Sequence, residues 1–241
     1  MFITEKYKYI TPRVALIDMD GTLYDSMPRH ARAWHRMASE IGIDCSVEEF
    51  FSYEGRTGAS TINILFQRSF GRDANAEEIK ELYARKSKYF VEQSEAPIMP
   101  GAPEMLQTLL RNDIRPVLVT GSGQQSLLTK LNRDFPGVFS EAMRVTAHDV
   151  KRGKPDPEPY LIGMKKAVAT PWECIVIENA PLGVESGARS GALAIGVNTG
   201  PVDPEQMIRA GADVLFDSMP QFASELPSLL ECMRTKFDIT V

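Results

Sequence analysis

Cysteine is scarce in this chain. Cys45, Cys174 and Cys232 are odd in number and widely spaced, which argues against a disulfide framework and provides no metal-binding spacing. Cys174 opens an apolar run, so packing is its expected role. Excess positive charge is missing as well. Lys and Arg total 27 against 32 Asp and Glu, a formal net charge of -5, so a broad nucleic-acid-binding face is not expected. No apolar run approaches membrane-spanning length. The first residues, Met1 to Lys6, lack the apolar core of a signal peptide, so a cytoplasmic protein, monomeric or weakly homo-oligomeric, is expected. Internal repeats and low-complexity segments are absent too. What remains is ordinary for a globular protein with a sizeable core: 43% hydrophobic and 24% charged residues.

The most informative stretch is Val14-Ala15-Leu16-Ile17-Asp18-Met19-Asp20-Gly21-Thr22-Leu23-Tyr24. Four apolar residues read as a strand buried on both faces. The run then stops on two acids at i and i+2, on one side of an extended chain and about 7 Å apart. Gly21 lets the backbone turn, and Thr22 offers a hydroxyl and an amide to an anion. An Asp-Gly turn accounts for Asp20 and Gly21 but leaves Asp18 unexplained. A carboxylate closing a buried strand is costly unless it is paired, metal-bound or reactive.

Residues 1–12 read as a polar lead-in. After Tyr24, Asp25-Ser26-Met27-Pro28 is a helix start, with Ser26 or Asp25 as cap and Pro28 in the first turn. Helices are expected to about Glu40, after the capping-box pattern Ser46-Val47-Glu48-Glu49, and near 59–70 and 76–93. No strand signal falls in this block, so residues 25–96 are expected to form an inserted all-helical cap domain. Pro97 to Gly101 is a stiff return linker. Beyond it, apolar runs at 116–120, 175–177, 193–197 and 213–216, with a weaker strand signal at 143–146, alternate with helical segments. A last helix follows over about 219–235, with a loose tail after it. The expected fold is therefore α/β, a Rossmann-like parallel sheet formed by 1–24 and 97–241 with helices on both faces.

Three polar clusters close three of these runs: Asp18/Asp20, Thr120/Ser122 and Glu178/Asn179. Lys154 lies in the loop before a helix. Each alone has a plain reading as a turn, a helix cap or a solvated side chain. In this order they match four motifs of the haloacid dehalogenase-like phosphotransferases, which the chain resembles across the whole core. Attack of a carboxylate on an anionic phosphate sets two charges about 4 Å apart, a repulsion of about 4 kcal/mol at an effective dielectric of 20. Such chemistry requires compensating cations and aligned donors.

The resemblance implies a role for each residue. Asp18 is the nucleophile that forms an aspartyl-phosphate. Asp20 is the general acid and then the general base. Thr120 and Lys154 hold the transferred group. Ser122 and backbone amides around Asp20-Gly21 bind phosphate oxygens. Mg²⁺ is held by Asp18, the Asp20 carbonyl, Glu178 and Asn179. The second acid usual in the fourth motif is replaced by Asn179, which removes one negative charge from the metal site and lessens repulsion of phosphate. The helical insertion resembles the subgroup that includes β-phosphoglucomutase and phosphoglycolate phosphatase. His30, followed by Trp34, and Lys86 look like the mutase cap histidine and lysine. Arg56, in the loop Gly55-Arg56-Thr57-Gly58, is a third cation expected to meet substrate. Gly58 and Gly123 stand where the mutase carries an arginine and a lysine that hold a second phosphate. The expected activity is therefore phosphatase action on a small phosphorylated metabolite such as a sugar phosphate. A β-phosphoglucomutase-type mutase is the alternative, and a non-catalytic regulatory protein a third reading.

Overall fold

The computed structural model describes residues 2–234, so the expected loose tail lies outside the described residues. The chain forms β1 (Phe2–Ile3), β2 (Val14–Ile17), β3 (Arg115–Val119), β4 (Arg144–Val145), β5 (Cys174–Glu178), β6 (Leu193–Val197) and β7 (Val214–Phe216). These make one sheet in the order β1-β7-β6-β5-β2-β3-β4. Only β1 is antiparallel; every other neighbouring pair is parallel. Strand β2 lies at the centre, in register with β3 and β5, and all four of its residues are buried. Its continuous apolar run is what a strand covered on both faces needs. Asp18 extends the ladder by one step, its amide donating to Ile177 O at 3.1 Å. The strand end that carries Asp18 thus lies beside the ends of β3 and β5, at the carboxyl edge of the sheet.

Between β2 and β3 lie α1 (Met27–Glu40), α2 (Gly58–Phe70) and α3 (Ala76–Val91). They share a hydrophobic cluster of their own around Trp34, Met37, Phe50, Leu65 and Leu82. The two connections to the sheet run side by side. Tyr24 pairs with Ile98, Asp25 N donates to Pro97 O at 3.0 Å, and Met99 N donates to Leu23 O at 2.9 Å. The remaining helices are α4 (Ala102–Arg111), α5 (Gln125–Asp134), α6 (Glu158–Ala167), α7 (Pro181–Arg189), α8 (Pro204–Arg209) and α9 (Met219–Arg234). Among the described residues, no helix is long and apolar enough to cross a membrane.

Several local expectations need correction. The lead-in is not wholly irregular: it contains β1 and a 3-10 helix, Glu5–Tyr9. The Ser46 capping pattern starts only a 3-10 turn, Glu48–Phe51, although Ser46 Oγ does accept from the Glu49 amide at 3.2 Å. Helix α1 has no side-chain cap: Ser26 takes helical rather than extended backbone angles (φ -102°, ψ -20°), and its hydroxyl donates to Asp20 Oδ1 at 2.6 Å. Helix α8 was not expected; Asp203 caps it by accepting from the Glu205 amide.

Helix α7 lies close on β5. A Cβ at Gly187 would sit 2.7 Å from Val176 Cγ1 and 3.1 Å from its Cβ. Valine is stiff at χ1 and cannot retract. Gly187→Ala is expected to destabilise the fold by about 1–3 kcal/mol, since overpacking outweighs the gain in helix propensity. Urea unfolding checks this; a stabilised variant would mean that the helix backs away freely.

Candidate active site

The three strand ends deliver their polar residues to one place. Asp18, Thr120, Lys154, Glu178 and Asn179 are all at most 4% exposed. Lys154 donates from Nζ to Asp18 Oδ1 at 2.5 Å and to the Val119 carbonyl at 3.1 Å, and pairs with Glu178 Oε1 at 2.6 Å. Its stem and charge are fully enclosed, and its ammonium also lies 5.2 Å from the centre of the Tyr160 ring. Tyr160 donates its hydroxyl to Glu178 Oε1 at 2.6 Å. Burial alone would lower the lysine, but Asp18 and Glu178 hold it well above the ordinary ammonium range. Asp18 is pushed up by burial, with Lys154 opposing and Glu178 and Asp20 adding to the push.

Asp20 accepts from Ser26 Oγ at 2.6 Å and contacts His30 Nε2 at 3.0 Å. Burial raises its carboxyl, but His30 and Ser26 outweigh it and the net direction is down. On the far side of the ring, Lys86 Nζ lies 2.6 Å from His30 Nδ1 and donates to Gln124 Oε1 at 3.0 Å. This pattern assigns a neutral imidazole that donates from Nε2 to Asp20 and accepts at Nδ1. Burial and Lys86 both push the imidazole toward neutrality. Lys86 is only 2% exposed, faces the rings of Trp34 and Phe90, and burial lowers it to about 7.

The turn after Asp18 explains its glycine. Gly21 has φ +80, and a Cβ there would lie 1.9 Å from Asn179 Nδ2. One expectation fails at this turn. The Gly21 amide already donates to Tyr24 O at 2.7 Å, so it is not free to bind a phosphate oxygen. Thr120 Oγ1 accepts from the Ser122 amide at 3.0 Å, which fixes the loop after β3. Ser122 and Arg56 line the same central cavity of about 60 Å³ as Asp18, Asp20, His30 and Lys86. Arg56 donates from Nη1 to Ser60 Oγ at 3.2 Å, and its buried Nε has no protein partner. Every residue expected to meet substrate is thus near this cavity, with Gly21 contributing shape alone.

Glu54, Tyr83, Gln124 and Tyr160 are not singled out by the sequence, and Ser26 stands out there only as a helix cap. Glu54 matters most. It is 6% exposed, lines the cavity, and accepts from Asn179 Nδ2 at 2.7 Å. Burial pushes its carboxyl well up, with the Asn179 amide opposing and Asp18, Glu178 and Asp20 pushing further. The other side of Asn179 accepts from Thr22 Oγ1 at 3.2 Å. Whether these residues suit a metal turns on donor chemistry. All are hard oxygen donors, and burial, with their carboxylates crowding one another, raises both Asp18 and Glu54. A hard divalent cation relieves such an excess, so the donor set fits Mg²⁺. Among the described residues no three acidic, His or Cys side chains converge in ligand geometry; Lys154 bridges Asp18 and Glu178 instead.

Comparison with known proteins agrees with this geometry. A family profile described as haloacid dehalogenase-like hydrolase matches residues 12–191. Hexitol phosphatase A of Escherichia coli is 31% identical over 208 residues, 86% of this chain and 91% of that protein. A phosphorylated carbohydrates phosphatase of Thermotoga maritima is 29% identical over 202 residues, 83% of this chain and 92% of that one. A solved structure from Bacteroides vulgatus, described only provisionally as a beta-phosphoglucomutase, superposes with TM-score 0.90 at 47% identity, covering 93% of this chain and 91% of its own.

Buried Lys86 has a consequence for stability. Its folded value of about 7 lies below its ordinary 10.5, so between these values the unfolded chain binds the extra proton. Its burial therefore opposes folding fully below about pH 7, and this penalty is relieved as pH rises toward 10.5. Lys86→Met is expected to be more stable than the parent near neutral pH, with the gap shrinking as the solution is made alkaline. Urea unfolding of both proteins at about pH 7 and about pH 9.5 measures it. A gap that does not change with pH would show that the ammonium carries no burial penalty.

Proposed function

Since this chain belongs to the haloacid dehalogenase-like hydrolases, we propose that it is a Mg²⁺-dependent phosphatase acting on a small phosphorylated metabolite such as a sugar phosphate. The observation that carries this reading is Asp18, buried at the carboxyl edge of the sheet against Lys154, with Asp20 lining the same cavity. The phosphatase names of the relatives support the same class of substrate.

In this mechanism Lys154 shifts from neutralising Asp18 to neutralising the incoming phosphate. A carboxylate oxygen of Asp18 attacks phosphorus, and the ester oxygen leaves with a proton from Asp20. The hydrogen bonds from Ser26 and His30 orient Asp20 for that transfer. Asp20, now a carboxylate, takes a proton from water, which attacks the aspartyl-phosphate and restores Asp18. Thr120, Ser122 and Arg56 bind the phosphoryl oxygens. Mg²⁺, held by Asp18, the Asp20 carbonyl, Glu178 and Asn179, supplies charge neutralisation beyond that of Lys154. The 25–96 insert acts as a cap over the central cavity, and the paired connections at Tyr24 and Ile98 are its hinge. The free thiols suit a reducing cytosol.

A second reading, a β-phosphoglucomutase-type mutase, draws on the chain Asp20–His30–Lys86, which carries cap residues to the acid. Against it, the two positions matched to its second phosphate clamp are Gly58 and Gly123. Release of inorganic phosphate from a sugar phosphate panel, with Mg²⁺ and with chelator, is the test. Asp18→Asn is expected to cut the rate by roughly a thousandfold or more while the protein stays folded. Conversion of β-glucose 1-phosphate to glucose 6-phosphate without net phosphate release would favour the mutase. Turnover that survives Asp18→Asn would remove the aspartyl-phosphate from the mechanism.

A further inference from the structure

Tyr83 stands at a boundary. It lines the central cavity of about 60 Å³ that holds Asp18 and Asp20. It also lines a separate outer cleft of about 640 Å³, between α3 and the start of α5, together with Ser87, Lys88, Gln124 and Gln125. No other lining residue is shared by the two spaces. The tyrosine ring is therefore the partition between them.

Three contacts hold the ring in place. A Cβ at Gly58 would lie 2.2 Å from Tyr83 Cδ2, so the start of α2 admits the ring only because residue 58 has no side chain. Trp34 packs on it with ring centres 6.2 Å apart. Its hydroxyl accepts from the Gly123 amide at 3.3 Å, which ties the ring to the loop that follows β3. The ring thus joins the insert to the loop that carries Thr120 and Ser122, and it has no room to swing toward α2.

We propose that Tyr83 is a specificity-determining residue: its ring closes the far wall of the active site and restricts turnover to compact phosphate esters with short leaving groups. The proposal rests on the phosphatase reading above and deepens it. The central cavity, about 60 Å³, is roughly a tenth of the outer cleft of about 640 Å³. The smaller space favours a short leaving group over a hexose ring behind the phosphoryl group. Without the tyrosine ring the cavity continues into the outer cleft, where Lys88 and Gln125 offer polar partners to a longer hydroxylated chain.

The test compares the parent, Tyr83→Ala and Tyr83→Phe on glycerol 3-phosphate and glucose 6-phosphate with Mg²⁺ present. Tyr83→Ala is expected to raise the glucose to glycerol ratio of kcat/KM by about tenfold or more, the scale of a steric wall in a substrate pocket. Tyr83→Phe keeps the wall and is expected to leave the ratio within about threefold of the parent. Binding of the same two esters in an Asp18→Asn background, by calorimetry, reads the wall without turnover. Should the parent release phosphate from neither ester, the sugar phosphate panel decides the phosphatase reading, and the dissociation-constant ratio alone decides on Tyr83. Tyr83→Leu replaces Tyr83→Ala if the latter does not fold. An unchanged ratio in the truncated variant, an equal loss on both esters, the same shift in Tyr83→Phe, or no binding of either ester would each overturn the proposal.

Discussion

The ammonium of Lys154, enclosed with the carboxylates of Asp18 and Glu178, governs the layout of this protein. A lysine taken out of water is costly unless its donors are satisfied and its charge is balanced. Here Asp18, Glu178 and the Val119 carbonyl do both. They come from β5, from the end of β3 and from just beyond β2, so the three central strands must end level with one another. Their register does that: Val14 faces both Arg115 and Cys174, and Ile17 faces Leu118 and Ile177. Packing of the sheet and electrostatics of the site are thus one constraint seen from two sides.

That constraint leaves a net excess of carboxylate. Lys154 balances Asp18 and Glu178 only in part, and Lys86, the other buried ammonium, is lowered to about 7 because burial outweighs the pull of Asp20. Burial and crowding therefore raise Asp18 and Glu54. Asp20 goes the other way because two donors hold its Oδ1. Two acids close in sequence thus have opposite tendencies, set by their neighbours.

Much of this was legible in the sequence, and the limits have physical causes. Five of the six parallel strands announce themselves as buried apolar runs, while β4, Arg144–Val145, gives only a weak signal; the polar residues that close β2, β3 and β5 follow from strand position. β1 does not, because its two residues are defined by pairing with β7 far along the chain. Ser26 looks like a helix cap from local spacing, yet its backbone takes helical angles rather than the extended ones of a capping residue, and its hydroxyl serves Asp20 instead. Tyr83 and Gln124 gain their positions only when the insert is seated against the sheet. Gly58 and Gly123 were visible as missing cations, but not as the space and the amide that Tyr83 uses. Glu54 is the clearest case: an acid ahead of a glycine-rich loop has no local signal for burial.

Glu54 and Asn179 are best understood together. Asn179 Nδ2 donates to Glu54 Oε1 at 2.7 Å, while Asn179 Oδ1 accepts from Thr22. An aspartate at 179 could accept from Thr22 but could not donate to Glu54. Two carboxylate oxygens at such a distance repel by about 6 kcal/mol at an effective dielectric of 20, and Asp18 and Glu178 already raise Glu54. The amide at 179 and the acid at 54 are therefore mutually dependent. The carboxyl that the fourth motif lacks stands instead on the insert, beside the same cavity, so the full complement of acidic oxygens exists only while the insert is seated on the sheet.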